Sequence, residues 1–486
     1  MVFAFVLACA TNEEVEADAP LAAADVVVVG AGPAGLAAAW EAAERGRSVL
    51  VVDLADNPGG TALWGEAYTF AAGTEVQEAL GVVDSPDAAA AEWYEITGVE
   101  ADSSAWVARY LAAAPTEVIG WLLDLGVVFD NVLEDPDAGS VARLHHPEGG
   151  GAGLLAPLID ARKPDELWMA TAVTGLRVDD TGRVVGVATG DGASASGWIE
   201  GTATVLATGG FLQDKERVVE LVPSLAGLDD VYLAAGDNAR GDGLQWGEDL
   251  GAATGPLERI GFYADGVPSY VEGEEHGAAK VGSLSLAVIV GDDGQRFFDE
   301  SRFGSFRAGR EMVDSHGGDA WAVFDSAGAA YITFADLEFT PDAVTLEGLV
   351  SRGSNAFVAD DLASLAEATG LPPDTLAATV DRYNGFFGAE RVDLDLGKNL
   401  EQSAPLLTPP FYAVRLVAAA AKNFGGLSTG DNGEILDEGG EPIAGLYGAG
   451  ELVGMAGGDI GGWGFGGSIG ACLYSARVAG AAAASP

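Results

Sequence analysis

The spacing of hydrophobic residues is most informative near residue 25. In "ADVVVVGAGPAGLAAAWEAAERGRSVLVVDLAD" four valines, residues 26–29, follow one another with no polar alternation. Such a run predicts a strand covered on both faces, as in a parallel sheet. The segment predicts a strand over residues 25–29, an alanine-rich helix through Glu44, and a second buried strand over residues 48–52 that ends at Asp53. Further on, apolar and polar positions alternate through "RVDDTGRVVGVAT" (residues 177–189), a hairpin pattern turning at Asp-Thr-Gly. "LPPDTLAATVDRYNGFF" (371–387) instead has proline and aspartate at a helix start, then apolar residues at helical spacing. Strand–helix–strand units with helices and hairpins predict an α/β fold. No internal repeat interrupts it.

The junction between the first strand and helix carries the first chemistry. Gly30-Ala31-Gly32-Pro33-Ala34-Gly35 matches G-x-G-x-x-G, with an acid, Asp53, 23 residues after Gly30. Gly30 allows the tight turn, Gly32 lets backbone approach a pyrophosphate at the helix N-terminus, and Gly35 lets helix and strand pack closely. The Asp53 carboxylate can accept from a ribose hydroxyl. This context predicts a dinucleotide site; a tight turn without ligand is the alternative.

Composition narrows the class. The 486 residues, 48 % apolar and 20 % charged, describe a globular chain large enough for several domains. A net charge of −50, with only five lysines, repels nucleic acid and anionic lipid and suits work in high salt. Cys9 and Cys472 are too few for an iron–sulfur cluster or a dithiol centre, and no metal-ligating constellation stands out. Electrons, if moved, need a bound organic cofactor. At the N-terminus, "MVFAFVLAC" resembles a lipoprotein signal with an imperfect lipobox ending at Cys9, followed by an acidic tether to residue 24. The run is short and lacks a basic n-region. Export on a lipid anchor and a cytoplasmic location are both open.

After Asp53, "NPGGTALWGEAYTF" resembles the GG-x-(S/T) segment of flavoproteins related to fumarate reductase and succinate dehydrogenase. That family includes flavocytochrome fumarate reductases, aspartate oxidases and 3-ketosteroid dehydrogenases. Similar motifs follow in order: "TVLATGGF" (204–211), "GDGLQWGEDLGA" (241–252), "GDDGQRFFDE" (291–300), "PPFYAVRL" (409–416), "GLYGAGELVG" (445–454) and "GGSIGACLYSARVAG" (466–480). The resemblance spans most of residues 25–482. It implies an FAD-dependent oxidoreductase with a discontinuous Rossmann-like FAD domain, 25–258 and 421–486, and an inserted α+β cap, 259–420.

Position by position, the resemblance assigns Gly30, Gly32, Gly35 and Asp53 to the pyrophosphate and ribose. It assigns Gly59, Gly60, Thr61, Thr208 and Gly209 to the phosphate and flavin side. Asp242 would belong to a G-D-G turn or cap a helix, and Glu451 would meet the ribityl chain. Ser468 and Ile469 would place a helix N-terminus beneath the flavin pyrimidine. Residues 59–66 contain no histidine, which implies non-covalent FAD.

The dicarboxylate machinery of fumarate reductases does not carry over. Its acid arginine falls on Gly304, flanked by Arg302 and Arg307, and its Glu-x-x-Arg relay on Lys280 and Ser283. A substrate histidine is lost in "AAKNFGG", leaving Lys422, and a carboxylate-gripping arginine aligns with Gly464 in "GGDIGGWGFGG". Trp463 and Phe465 in that loop would offer a flat wall. The expected substrate is therefore an uncharged organic molecule whose reacting C–C or C=C bond lies next to a carbonyl. Hydride would pass to or from flavin N5. Proton-handling candidates are His145 and His146 in "RLHHPEGGG", Arg307 and Lys422. A separate carrier, a quinone or oxygen would complete the second half-reaction. A non-catalytic flavin protein is the rival reading, as is a rearranged fumarate-type reductase.

Overall fold

The valine run forms the middle of a parallel sheet. In the computed structural model, which describes residues 19–98, 105–135, 139–162, 166–190, 197–226, 231–271, 278–302, 305–335, 343–389, 391–454 and 467–485, β1 (Ala22–Val29) lies between β2 (Val49–Val52) and β9 (Gly197–Leu206). β6 (Leu167–Trp168) extends the sheet beyond β2, and β19 (Pro442–Gly448) pairs in parallel with β9. The hairpin of β7 (Val173–Val178) and β8 (Val184–Thr189) joins β9, and β18 (Glu434–Leu436) borders β19. The order is β18-β19-β9-β1-β2-β6. Val26, Val27 and Val28 are fully buried, as expected of a strand with both faces covered. β1 starts earlier than its apolar run because Ala22, Ala23 and Ala24 pair with Ile199, Glu200 and Gly201. That extension is set by a neighbour distant in sequence.

One face is covered by α1 (Pro33–Glu44) and a C-terminal helix, Ile469–Ala483, which pack closely together. A Cβ at Gly480 would stand 2.4 Å from the Ala38 carbonyl oxygen, so the two helices cross nearly backbone to backbone.

The second sheet contains β10 (Tyr232–Leu233), β11 (Ile260–Pro268), β12 (Ala278–Gly282), β13 (Val288–Val290), β14 (Asp319–Asp325), β15 (Thr333–Ala335), β16 (Ala356–Ala359) and β17 (Phe411–Asn423). Its main order is β13-β14-β17-β11-β12-β15, and β10 and β16 also pair with β17. The sheet is built mainly from the stretch expected for the cap, with β10 added from before it. β17 runs on through Lys422 and Asn423.

A third, small sheet has the order β3 (Thr69–Phe70), β5 (Leu144–Pro147), β4 (Phe129–Leu133). "RLHHPEGGG" is therefore not a glycine-rich loop throughout. Its first half is β5, and its glycines lead into α2 (Gly150–Asp160). Two further helices border the site, α3 (Asp242–Asp249) and α4 (Phe306–His316); Ile469–Ala483 is α5. Among the described residues no helix is long and apolar enough to cross a membrane.

Candidate cofactor and substrate site

The C-terminal ends of β1, β9 and β19 converge on one edge of the parallel sheet, where ligands of open α/β sheets bind. Gly30 has φ +108°, and a Cβ on Gly35 would stand 1.7 Å from the Gly30 carbonyl oxygen, so neither position tolerates a side chain. A Cβ on Gly32 would meet nothing within 4 Å, and Gly32 caps α1 with no side chain to satisfy the first-turn N–H groups. Such first-turn N–H groups suit a phosphate. Asp53 holds this turn itself. Its Oδ2 accepts the Ala31 N–H at 2.6 Å and its Oδ1 accepts the Ala55 N–H at 2.8 Å.

Around this turn Gly59 donates its N–H to the Ala31 carbonyl at 2.8 Å, and a Cβ on Gly60 would lie 3.2 Å from Gly32 Cα. Both have positive φ, +131° and +58°, and they lead into a short 3-10 turn, Gly60–Trp64, that carries Thr61. Opposite it, Gly236 comes so near that a Cβ would sit 2.6 Å from Thr61 Oγ1. Past β9, Thr208 has a buried hydroxyl with no hydrogen-bond partner, and Gly209 has φ +77°. A cradle of close-packed glycines with an orphaned hydroxyl at its rim fits the phosphates and ribityl chain of FAD.

Glu451 lies in the 3-10 turn Gly450–Leu452, just after β19. Its Oε1 accepts the Asn423 N–H at 3.0 Å, and Asn423 Nδ2 donates to the Glu451 carbonyl at 3.0 Å. Asn423 Oδ1 also accepts the Phe211 N–H at 3.3 Å, and Gly210 lies so close that a Cβ there would clash with it. This one amide ties the β9 turn to the β19 turn. Sequence reasoning passed over it, although it adjoins Lys422. Burial pushes the Glu451 carboxyl up, and the Lys422 ammonium facing it opposes that rise. Burial would lower Lys422, but Glu451 first, then Tyr263 and Cys472, leave it raised. The Cys472 thiol is pushed up to about 12 by burial and by Glu451, so it is inert at neutral pH.

Beside the second sheet the structure gathers residues that the sequence did not group. Tyr263 on β11 stacks on Phe306 at 5.0 Å between ring centroids. Lys280 on β12 has Nζ 5.8 Å from the centre of the Tyr263 ring. Its charge faces Asp265, Tyr263, Tyr68 and Glu66, and Asp265, the largest influence, raises it against burial. Asp265 is only 5 % exposed; burial raises its carboxyl and Lys280 opposes the rise. Burial first, then Glu66, raises the phenol of Tyr68. A cavity of about 450 Å³ lies against Glu66, Tyr68, Asp130, Asn131, Leu133 and His146.

Of the four proton-handling candidates, His146 lines this cavity, Lys422 faces Glu451 and Tyr263, and His145 and Arg307 are tied into other parts of the fold. His145 is fully buried on β5, with Nε2 2.7 Å from Thr74 Oγ1 and Nδ1 3.0 Å from the Arg143 carbonyl. Burial lowers its pKa to about 4. With both ring nitrogens engaged it is a neutral brace, because strand alternation turns it into the core. His146, on the opposite face, bridges Asp130 (2.8 Å) and Glu66 (2.9 Å). Burial lowers its pKa but these two carboxylates outweigh that, and the net shift is upward. Arg307, in the first turn of α4, donates to the Ile96 carbonyl.

Asp242 does not cap α3: Gly241 is the N-cap, and Asp242 pairs with Arg240 at 2.8 Å. Ser468 is the N-cap of α5, directly before Ile469; its hydroxyl makes no capping bond, and its backbone pairs with that of Thr69 in an antiparallel bridge. Cys9, Gly304, Trp463, Gly464 and Phe465 lie outside the described residues.

The comparisons with known proteins agree with this geometry. The FAD binding domain family matches residues 25–470. The NADH:fumarate oxidoreductase of Klebsiella pneumoniae is 29 % identical over 91 % of this chain, which spans 46 % of that protein's length. The vinyl phenol reductase of Lactiplantibacillus plantarum is 29 % identical over 95 % of this chain and 96 % of its own. The crystal structure of a 3-ketosteroid-delta4-(5alpha)-dehydrogenase from Rhodococcus jostii, in complex with 4-androstene-3,17-dione, superposes with a TM-score of 0.76 at 26 % identity, covering 96 % of this chain and 98 % of that one. With the glycine cradle, the Asp53 clamp and the Glu451 turn at one sheet edge, the chain belongs to the FAD-binding domain family, and FAD is its cofactor.

Proposed function

We propose that the protein is an FAD-dependent oxidoreductase acting on an uncharged organic substrate whose C–C or C=C bond lies next to a carbonyl. The observation that carries this reading is the charge balance of the cleft. Lys280 is faced by Asp265 and Glu66, and Lys422 by Glu451, so the two ammoniums leave no net positive field for a dianion. The name of the dehydrogenase bound to 4-androstene-3,17-dione fits such a substrate; that of the vinyl phenol reductase fits an uncharged one whose C=C stands on an aromatic ring without a carbonyl, and that of the NADH:fumarate oxidoreductase supports the alternative of a fumarate-type reductase.

Bound FAD, held non-covalently by the glycine turns, Thr61, Thr208 and Glu451, supplies hydride transfer. The N-terminus of α5 at Ser468 and Ile469 favours negative charge placed before it. Tyr263 is assigned the proton. Its ring is held by stacking on Phe306, and Lys280 Nζ lies 5.8 Å from its centre. Asn423 and Glu451 fix the end of β17 and thereby the position of Lys422. Trp463 and Phe465 are assigned to the substrate wall. A separate carrier, a quinone or oxygen completes the cycle, and anchoring through Cys9 would bring the enzyme to a membrane surface.

The test is anaerobic reoxidation of dithionite-reduced enzyme in a stopped-flow instrument, with neutral enones, steroids, vinyl phenols and fumarate as oxidants. A neutral unsaturated carbonyl compound is expected to reoxidise the flavin fastest. Fumarate as the sole rapid oxidant would overturn the reading, and reoxidation by protein or quinone acceptors alone would favour the non-catalytic rival.

A further inference from the structure

The cavity against Glu66 has a lining that hydride and proton transfer do not use. Glu66 and Tyr68 come from the chain that leaves the 3-10 turn Gly60–Trp64, Asp130, Asn131 and Leu133 from β4, and His146 from β5. Gly151 donates its N–H to the Gly65 carbonyl at 2.8 Å, which pins the first of these walls to α2. A volume of about 450 Å³ suits a small organic molecule. His146 places Nδ1 2.8 Å from Asp130 Oδ1 and Nε2 2.9 Å from Glu66 Oε2. An imidazole set between two carboxylates donates to both only as the imidazolium, and neither N–H is then left for a ligand. Each carboxylate spends one oxygen on the ring. The other two, Glu66 Oε1 and Asp130 Oδ2, have no hydrogen-bond partner among the described residues. Tyr68, its ring centre 5.4 Å from that of His146, and Leu133 add an aromatic and apolar wall. Ala67, between Glu66 and Tyr68, takes φ +52°, a conformation that alanine adopts at a cost.

We propose that this cavity receives one end of the substrate and selects an end that donates hydrogen bonds, with Glu66 and Asp130 as the acceptors and His146 as their positioning residue. This rests on the functional reading above and narrows its uncharged substrate to hydroxylated cyclic or aromatic compounds. The hydroxyl donates to a free carboxylate oxygen, a charge-assisted hydrogen bond, while the ring packs on Tyr68 and Leu133. An alkyl end of the same size displaces water from the carboxylates and offers no hydrogen bond in its place. An anionic end is rejected, because two carboxylates against one imidazolium leave the cavity net negative, and His146 has no N–H to spare. An ammonium end offers the same donors as a hydroxyl, and a charged analogue separates the two.

The test titrates oxidised holoenzyme in a calorimeter, in mildly acidic buffer, with benzylideneacetone carrying one para substituent: hydroxymethyl, ethyl, carboxylate or aminomethyl. Hydroxymethyl and ethyl are close in size, so their ratio isolates the hydroxyl. Wild type is expected to bind the hydroxymethyl compound about tenfold more tightly than the ethyl one. The factor is no larger because the Glu66 and Asp130 side chains are 50 % and 47 % exposed, and water replaces part of the bond. The carboxylate compound is expected to bind weakest. The double variant Glu66→Gln, Asp130→Asn keeps acceptors but removes both charges. It should bring the hydroxymethyl and ethyl compounds to within about threefold of each other and bind the carboxylate compound better than wild type does, with flavin content unchanged. A merely structural loss would weaken all four compounds alike.

Equal affinity of wild type for the hydroxymethyl and ethyl compounds, or a preference that the double variant keeps, overturns the assignment. The aminomethyl compound bound tightest by wild type would uphold the donor-selecting cavity and overturn the uncharged substrate. If the ethyl compound reoxidises reduced flavin but wild type shows no hydroxyl preference, the functional reading stands and this site falls. If the preference holds but none of the four compounds reoxidises the flavin, the site stands and the functional reading falls.

Discussion

Asp53→Ala separates two roles of one carboxylate. The resemblance assigns Asp53 to the ribose, but in the structure both oxygens accept backbone N–H groups, from Ala31 at 2.6 Å and Ala55 at 2.8 Å. A hydrogen bond to a charged acceptor contributes about 1.5–3 kcal/mol. Asp53 is only half-buried, so water replaces part of what alanine removes, and the low end applies to each bond. The two together come to about 3 kcal/mol. A domain of 150–250 residues loses roughly 2–4 °C of Tm per kcal/mol, so about 6 °C is a conservative expectation for the FAD half. The assay is thermal unfolding of the apo-protein after FAD is stripped, when no ribose is present to bind. Asp53→Ala should melt lower than wild type in the apo form, and by a larger margin once FAD is restored. An apo Asp53→Ala that melts within about 1 °C of apo wild type would refute the clamp and leave the carboxylate serving the cofactor alone.

Two further expectations concern the same region. Gly35→Ala puts a methyl 1.7 Å from the Gly30 carbonyl oxygen, which backbone cannot easily yield; overpacking of this kind costs about 1–3 kcal/mol or more. Purified Gly35→Ala should carry little flavin, measured by absorbance against protein, and full flavin content would contradict the packing argument. His146, whose folded-state pKa is raised by Asp130 and Glu66, contributes stability that is fully present below its unfolded value and lost as pH rises through the folded one. The Tm advantage of wild type over His146→Phe should therefore be largest in mildly acidic buffer and shrink in alkaline buffer. A constant difference across that window would show that the two carboxylates do not charge this ring.

The cofactor half of the site was legible because its residues are local. Strand, glycine turn, helix and acid follow one another within 30 residues or so of chain, and each glycine answers to a steric demand that the structure displays at Gly30 and Gly35. The hairpin at 177–189 was equally local: β7 and β8 form, and Gly182 takes φ +84° in the turn. The cluster beside the second sheet was not legible. Tyr68 belongs to the chain just before β3, Tyr263 and Asp265 to β11, and Lys280 to β12; only tertiary packing brings them together. Lys280 entered the sequence reading as a missing relay residue, which hid its place beside Tyr263. The histidine pair is split for a simpler reason. Once residues 144–147 form a strand, consecutive side chains point oppositely, and His145 is committed to the core while His146 meets the surface carboxylates.

β17 has a consequence of another kind. It is thirteen residues long, pairs with β10, β11, β14 and β16, and ends on Lys422 and Asn423. The strand that knits the second sheet together thus runs on, past a register shift at Ala421 against β11, to the amide that ties the β9 and β19 turns. Such a strand works as a spoke. A substrate bulky enough to shift the second sheet would pull on the hub at Asn423, so the size of what binds would be felt mechanically at Glu451, before any bond in it has changed.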